Sequence, residues 1–154
     1  MLHNIGLLIH VFGITMILGG FMALLVIDKQ FWKLVDADIS KAGALLPLMK
    51  TLPIIIQLGA LVQIISGIMM LSSRNWQYWG ETWLYVKLVL FVALVTNGFA
   101  VGKPTGGKIA AQVFSPTPDR TVLTSLKGKM RTFNMVQLIM LLALLFMVTI
   151  YRHM

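Results

Sequence analysis

Two ionisable side chains, His10 and Lys87, stand inside apolar stretches of the sequence. A lysine in hydrocarbon costs about 2.5 to 3.5 kcal/mol on insertion scales, so a residue of this kind marks a candidate site by default. An imidazole can serve as a base, an interhelical hydrogen-bonding group or a metal ligand, and it is the commonest protein ligand of b-type haem. The lysine can be a second axial ligand, a counter-charge for a propionate, or an amine that snorkels to the headgroups on its four-carbon stem. Met69 and Met70 are soft donors that, with His10, would suit copper.

Other chemistries are excluded by what the chain lacks or where it puts its acids. It has no cysteine, which removes disulfides, thiolate metal sites, iron–sulfur clusters and cysteine nucleophiles. Asp28, Asp36, Asp38, Glu81 and Asp119 all fall in expected loops or at span edges, which disfavours a carboxylate-driven transporter. His3 and His153 lie near the ends of the sequence. His3 shares the face of His10 about two turns away, so the pair cannot clamp one iron from both sides, and a four-histidine, two-haem cytochrome is excluded.

The elements that must position these groups are membrane helices. Hydrophobic residues make up 58% of the 154 positions and charged residues only 12%, with a mean hydropathy of +0.85, a mixture that no soluble fold could bury. Apolar stretches at 5–27, 52–71, 82–101 and 133–150 are each long enough to cross a bilayer, and an open sheet would leave its backbone groups unsatisfied there. The expected fold is therefore all-α, an integral membrane up-down four-helix bundle forming a single domain over 1–154. The net charge of +8 then reports loops facing anionic headgroups and not nucleic acid.

Lys29, Lys33, Lys41 and Lys50 lie in the first loop, and Lys103, Lys108, Arg120, Lys127, Lys129 and Arg131 in the third, against Arg74 and Arg152 on the other side. This bias puts the first and third loops in the cytoplasm and both termini outside, in the periplasm if the membrane is the bacterial inner (cytoplasmic) membrane. Trp76, Tyr78, Trp79, Trp83 and Tyr85 then mark the outer interface. In the third loop, Pro104, Gly106, Gly107, Pro116 and Pro118 predict an irregular first half. Thr117 and Pro118 suggest the cap and first position of the last helix. Residues 102–108 read like a phosphate loop but lack its Ser or Thr and its preceding strand, so that reading is rejected.

His10 lies about 8 Å below the outer surface at 1.5 Å per residue, and Lys87, on another helix entered from the same side, lies at a similar depth. Gly6, Gly13 and Gly20 recur on the stripe of His10, where they offer either close helix packing or a flat slot for a cofactor. Gly59, Gln63, Ser66 and Met70 form a comparable stripe, as do Lys87, Phe91, Leu94 and Gly98, and Asn134, Gln137, Leu141 and Leu144. Gln57, Asn97, Asn134 and Gln137 are expected to hydrogen-bond between helices.

The segments Leu8-Ile9-His10-Val11-Phe12-Gly13 and Leu18-Gly19-Gly20 resemble the opening helix of a group of small four-span bacterial membrane proteins. The group includes HemJ-type protoporphyrinogen oxidases and copper-resistance CopD-like domains. Trp83-Leu84-Tyr85-Val86-Lys87-Leu88 resembles the start of the third HemJ helix, and Ser66-Gly67-Ile68-Met69-Met70-Leu71 the end of the second. The resemblance covers the first three spans. It implies a haem b oxidoreductase with His10 and Lys87 as catalytic and metal-binding residues and a tetrapyrrole substrate; the stripe of Gly6, Gly13 and Gly20, with Phe91, would then line the cofactor. Two alternatives from other classes are a copper-handling module at His10, Met69 and Met70, and a non-catalytic membrane subunit whose glycine seams dock a second copy or a membrane-complex partner.

Overall fold

A computed structural model describes the backbone of residues 1–150 and the side chains of residues 1–147; Arg152 and His153 lie outside the described residues. Helix α1 (Leu2–Ala37) is followed by the short α2 (Ile39–Ala42), a 3-10 turn and α3 (Leu46–Ser73). Helix α4 (Thr82–Asn97) runs through a π-helical turn (Gly98–Gly102) into α5 (Lys103–Val113), and α6 (Arg120–Ile150) completes the chain. Four helical stretches are long and apolar enough to cross a membrane, as the sequence predicts: Leu2–Ala37, Ile39–Ser73, Thr82–Val113 and Arg120–Met147. The described chain is an all-α four-helix membrane bundle.

The helices outrun the bilayer. At 1.5 Å per residue α1 is about 54 Å long, against a hydrocarbon core of about 30 Å. The surplus has a core of its own at the end of the bundle that carries the lysine-rich loops, here called the basic end. There Phe31, Trp32 and Val35 of α1 pack with Ala42, Leu46, Ile109, Val113, Leu123, Leu126, Met130 and Phe133. A second, smaller cluster of Ile17, Phe21, Leu94 and Leu141 fills the middle.

Two expectations about the third loop are corrected. Its first half is helical to Val113, because Pro104 falls in the first turn of α5, where no intrahelical N–H is required of it. Gly102 permits the continuation: a Cβ there would stand 2.6 Å from Cζ of Phe133, so only a glycine lets that ring lie on the helix backbone. The last helix is capped by Asp119 and not by Thr117, since Oδ1 of Asp119 accepts from the backbone N–H groups of Thr121 at 2.8 Å and Val122 at 3.3 Å.

At the opposite end, the turn between α3 and α4 carries an aromatic cluster. Trp76 stacks edge-on against Trp79, and Trp79 against Tyr85. Asn75 and Trp76 take left-handed backbone angles, φ 51° and 59°, a conformation that asparagine tolerates and a tryptophan rarely adopts. The Tyr85 hydroxyl donates to the Trp79 carbonyl at 2.7 Å and ties the turn to the first turn of α4, two residues before Lys87.

Candidate functional site

Helices α1 and α3 pack antiparallel along one continuous seam. His3 meets Ser73, Gly6 meets Met70, His10 meets Ser66, Gly13 meets Gln63, Ile17 meets Gly59, and Gly20 meets Ile56. Position rises on one helix as it falls on the other, in steps of three and four, the spacing of a left-handed supercoiled pair. Large residues on one helix face glycine on the other. Gly13 and Gly59 make the closest backbone approach: the Cβ that each lacks would sit 3.1 Å from the other's carbonyl oxygen.

His10 is held from both directions in this seam. Its Nδ1 lies 2.9 Å from Oγ of Ser66, and its backbone carbonyl accepts from Nε2 of Gln63 at 2.7 Å. Ser66 is fully buried, and its hydroxyl is 2.7 Å from the Val62 carbonyl one turn back. A hydroxyl has a single proton. With that proton donated to Val62, the Ser66 oxygen accepts from Nδ1–H of His10, and Nε2 keeps its lone pair.

Lys87 approaches from α4. It is half-buried, and no hydrogen bond joins it to His10. The central apolar cluster has Ile17 as its outermost member on α1 and Leu94 on α4. His10 and Lys87 each stand two helical turns beyond those residues, toward the aromatic end, so the structure sets them at one level.

The remaining expected site residues fall elsewhere. Gly6, Gly13 and Gly20 are buried against α3, with Met70, Val62 and Ile56 at 3.0, 3.0 and 2.9 Å from the missing Cβ positions. That stripe packs helices and leaves no slot for a flat macrocycle. Phe91 is half-buried one turn inward of Lys87. Met69 and Met70 lie over Gly6 as part of the seam. The cavity in the central core, lined by Ile17, Phe21, Ile56, Leu94, Gln137 and Leu141, has a volume of about 10 Å³, room for no more than one water. A haem therefore fits neither the glycine stripe nor the core. The donor chemistry that suits it is His10 Nε2, beyond the core, with its other ring nitrogen anchored as in metal-ligating histidines generally. Among the described residues no three His, Cys, Asp or Glu side chains gather into a metal site.

A second polar network, at the basic end, was not anticipated. Asp28 is half-buried: Oδ1 accepts from Nε1 of Trp32 at 3.1 Å and Oδ2 from Nδ2 of Asn134 on α6 at 3.2 Å. Lys127 pairs with Asp36 at 2.9 Å and lies over the Trp32 ring. Asn134 is 7% exposed, and its Oδ1 has no partner. The sequence signal was Asp28 one turn ahead of Trp32 on the face that meets the polar stripe of α6. Asn97 and Gln137 do bond as expected, at 3.0 Å, and Gln137 also donates to the Leu94 carbonyl at 3.3 Å, whereas Gln57 is exposed.

Comparison with family models, with curated proteins and with solved structures found no match to this chain.

Proposed function

We propose that this chain binds one haem b through Nε2 of His10, beside Lys87, and serves as a membrane oxidoreductase or electron-transfer component. One observation carries the reading: Nδ1 of His10 lies 2.9 Å from the Ser66 hydroxyl, itself 2.7 Å from the Val62 carbonyl, so a Ser66 proton donated to Val62 leaves His10 an anchored imidazole with Nε2 unprotonated. A haem held there would supply one-electron chemistry. The protein's part is to orient the imidazole through Ser66 and Gln63 and to set a positive charge beside it. The resemblance of the first three spans to HemJ-type proteins favours a tetrapyrrole as the molecule acted upon, reached from the bilayer. The lysine-rich loops favour an orientation with the basic end in the cytoplasm of a bacterial inner membrane.

The test is a visible absorption spectrum of detergent-solubilised protein made with ample haem, oxidised and reduced. A Soret band in the wild type, lost in His10→Ala and kept in Met69→Ala, supports the reading. Colourless wild-type protein overturns it.

A further inference from the structure

The basic residues near the span ends lie on helices and not in loops. Lys29 is on α1, Lys50 on α3, Lys103 at the start of α5, and Lys129 and Arg131 on α6, and all five are exposed. Among the described residues the ion pairs are Lys41 with Asp38 and Lys127 with Asp36, so none of the five has a carboxylate partner. Asp28, the acid beside Lys29 in the sequence, is engaged by Trp32 and Asn134. Lys103 lies 6.0 Å from the centre of the Phe99 ring, a contact that leaves its charge without an anion.

The five stand at one height. The apolar stretches 5–27, 52–71, 82–101 and 133–150 are centred close to Ile17, Gly59, Leu94 and Leu141. Ile17, Leu94 and Leu141 share the central cluster, and Gly59 packs on Ile17, so this level is the middle of the bilayer. Counted from there at 1.5 Å per residue, Lys50, Lys103 and Arg131 lie about 14 to 15 Å toward the basic end, and Lys29 and Lys129 about 18 Å. A hydrocarbon core of about 30 Å ends about 15 Å from its midplane, and the headgroups extend to about 20 to 22 Å. Each of the four spanning stretches therefore presents an unpaired cation at headgroup height. We infer that these five residues form a girdle that gathers anionic phospholipids around the basic end, each ammonium or guanidinium meeting a phosphate of the adjoining leaflet. The bilayer supplies anions at this height, and their attraction fades over about a Debye length, so cations further out on the projecting part contribute less. Neither the haem nor the compartment at the basic end enters into it.

Electron paramagnetic resonance of the full chain in phosphatidylcholine vesicles tests the girdle, with trace phosphatidylglycerol or phosphatidylcholine spin-labelled on an acyl chain. The spectrum separates lipid held at the protein surface from mobile lipid. Phosphatidylglycerol is expected to be held at least about threefold more strongly than phosphatidylcholine. Each of Lys29→Gln, Lys50→Gln, Lys103→Gln, Lys129→Gln and Arg131→Gln should lower that preference, and all five together should abolish it. Arg120→Gln, the same change about 32 Å from the midplane, should leave it unchanged. If the quintuple variant does not fold, the single ones decide. Equal holding of the two lipids by the wild type, a preference that no girdle replacement lowers, or a loss in Arg120→Gln as large as in the girdle variants overturns the proposal.

Discussion

Nδ1 of His10 and Oγ of Ser66 lie 2.9 Å apart across the α1–α3 seam, and the same hydroxyl lies 2.7 Å from the Val62 carbonyl. With the Ser66 proton donated to Val62, the pair selects one imidazole tautomer, protonated at Nδ1. Nitrogen NMR of histidine-labelled protein at neutral pH should show His10 with Nε2 unprotonated. Ser66→Ala removes the acceptor and should give a mixture of tautomers, with a stability loss of about 0.6 kcal/mol, the usual worth of an interhelical hydrogen bond in a membrane. Protonation at Nε2 in the wild type would contradict the assigned direction of the bond.

The seam separates glycines that matter from glycines that do not. At Gly59 a side chain would meet Ile17 at 2.9 Å, Met16 at 3.0 Å and the Gly13 carbonyl at 3.1 Å, whereas nothing lies within 4 Å of the Cβ position at Gly19 or Gly67. Gly59→Leu should cost about 1 to 3 kcal/mol through overpacking. Gly19→Ala and Gly67→Ala should be neutral or stabilising by up to about 1 kcal/mol, because alanine is the better helix former. Thermal loss of helicity in detergent measures all three.

These glycines also show how much was legible in advance. Four apolar runs gave four spans, and helical rise alone put His10 and Lys87 at one depth, because span length and rise are local properties of the chain. What faced the glycine stripe was not legible, since Gly6, Gly13 and Gly20 suit a helix and a flat ligand equally well, and only the partners Met70, Val62 and Ile56 decide between them. The helix through Pro104 was hidden for a similar reason: a proline that breaks a helix interior is harmless in a first turn, and the π-helical turn that makes it one has no sequence mark. Asp28 was read as a span edge because its donors, Trp32 and Asn134, are brought to it by the long reach of α1 past the bilayer.

Outside the spans, Asp38 links α1 to α2. Its carboxylate accepts from the Ser40 hydroxyl at 2.7 Å and the Ser40 backbone N–H at 3.0 Å, and these bonds hold its pKa below the ordinary 3.8. A carboxyl depressed in the folded state adds stability that is complete above its unfolded pKa and is lost as pH falls through the folded one. Hydrogen exchange at the Ser40 amide should therefore show protection that is steady down to about pH 4 and disappears in more acid solution. Asp38→Ala should lose that protection at neutral pH, and retained protection would mean the cap does not order this turn.

The two carboxylates that α1 directs toward α6 should differ sharply in worth. Asp36 meets Lys127 with both side chains well exposed, 65% and 42%, so Asp36→Asn should cost no more than about 1 kcal/mol and less in high salt. Asp28 is half-buried and is the acceptor for Trp32 and for Asn134, whose own Oδ1 already lacks a partner. Asp28→Ala leaves the Asn134 amide stranded at both ends and should cost about 1 to 3 kcal/mol, with little dependence on salt. If stranding is the cause, Asn134→Leu should recover part of the loss in the Asp28→Ala background, because an apolar side chain leaves no amide unpaired, while in the wild type it should destabilise. A double-mutant cycle in detergent, followed by thermal unfolding, measures that coupling; additive effects would show that the two residues act independently.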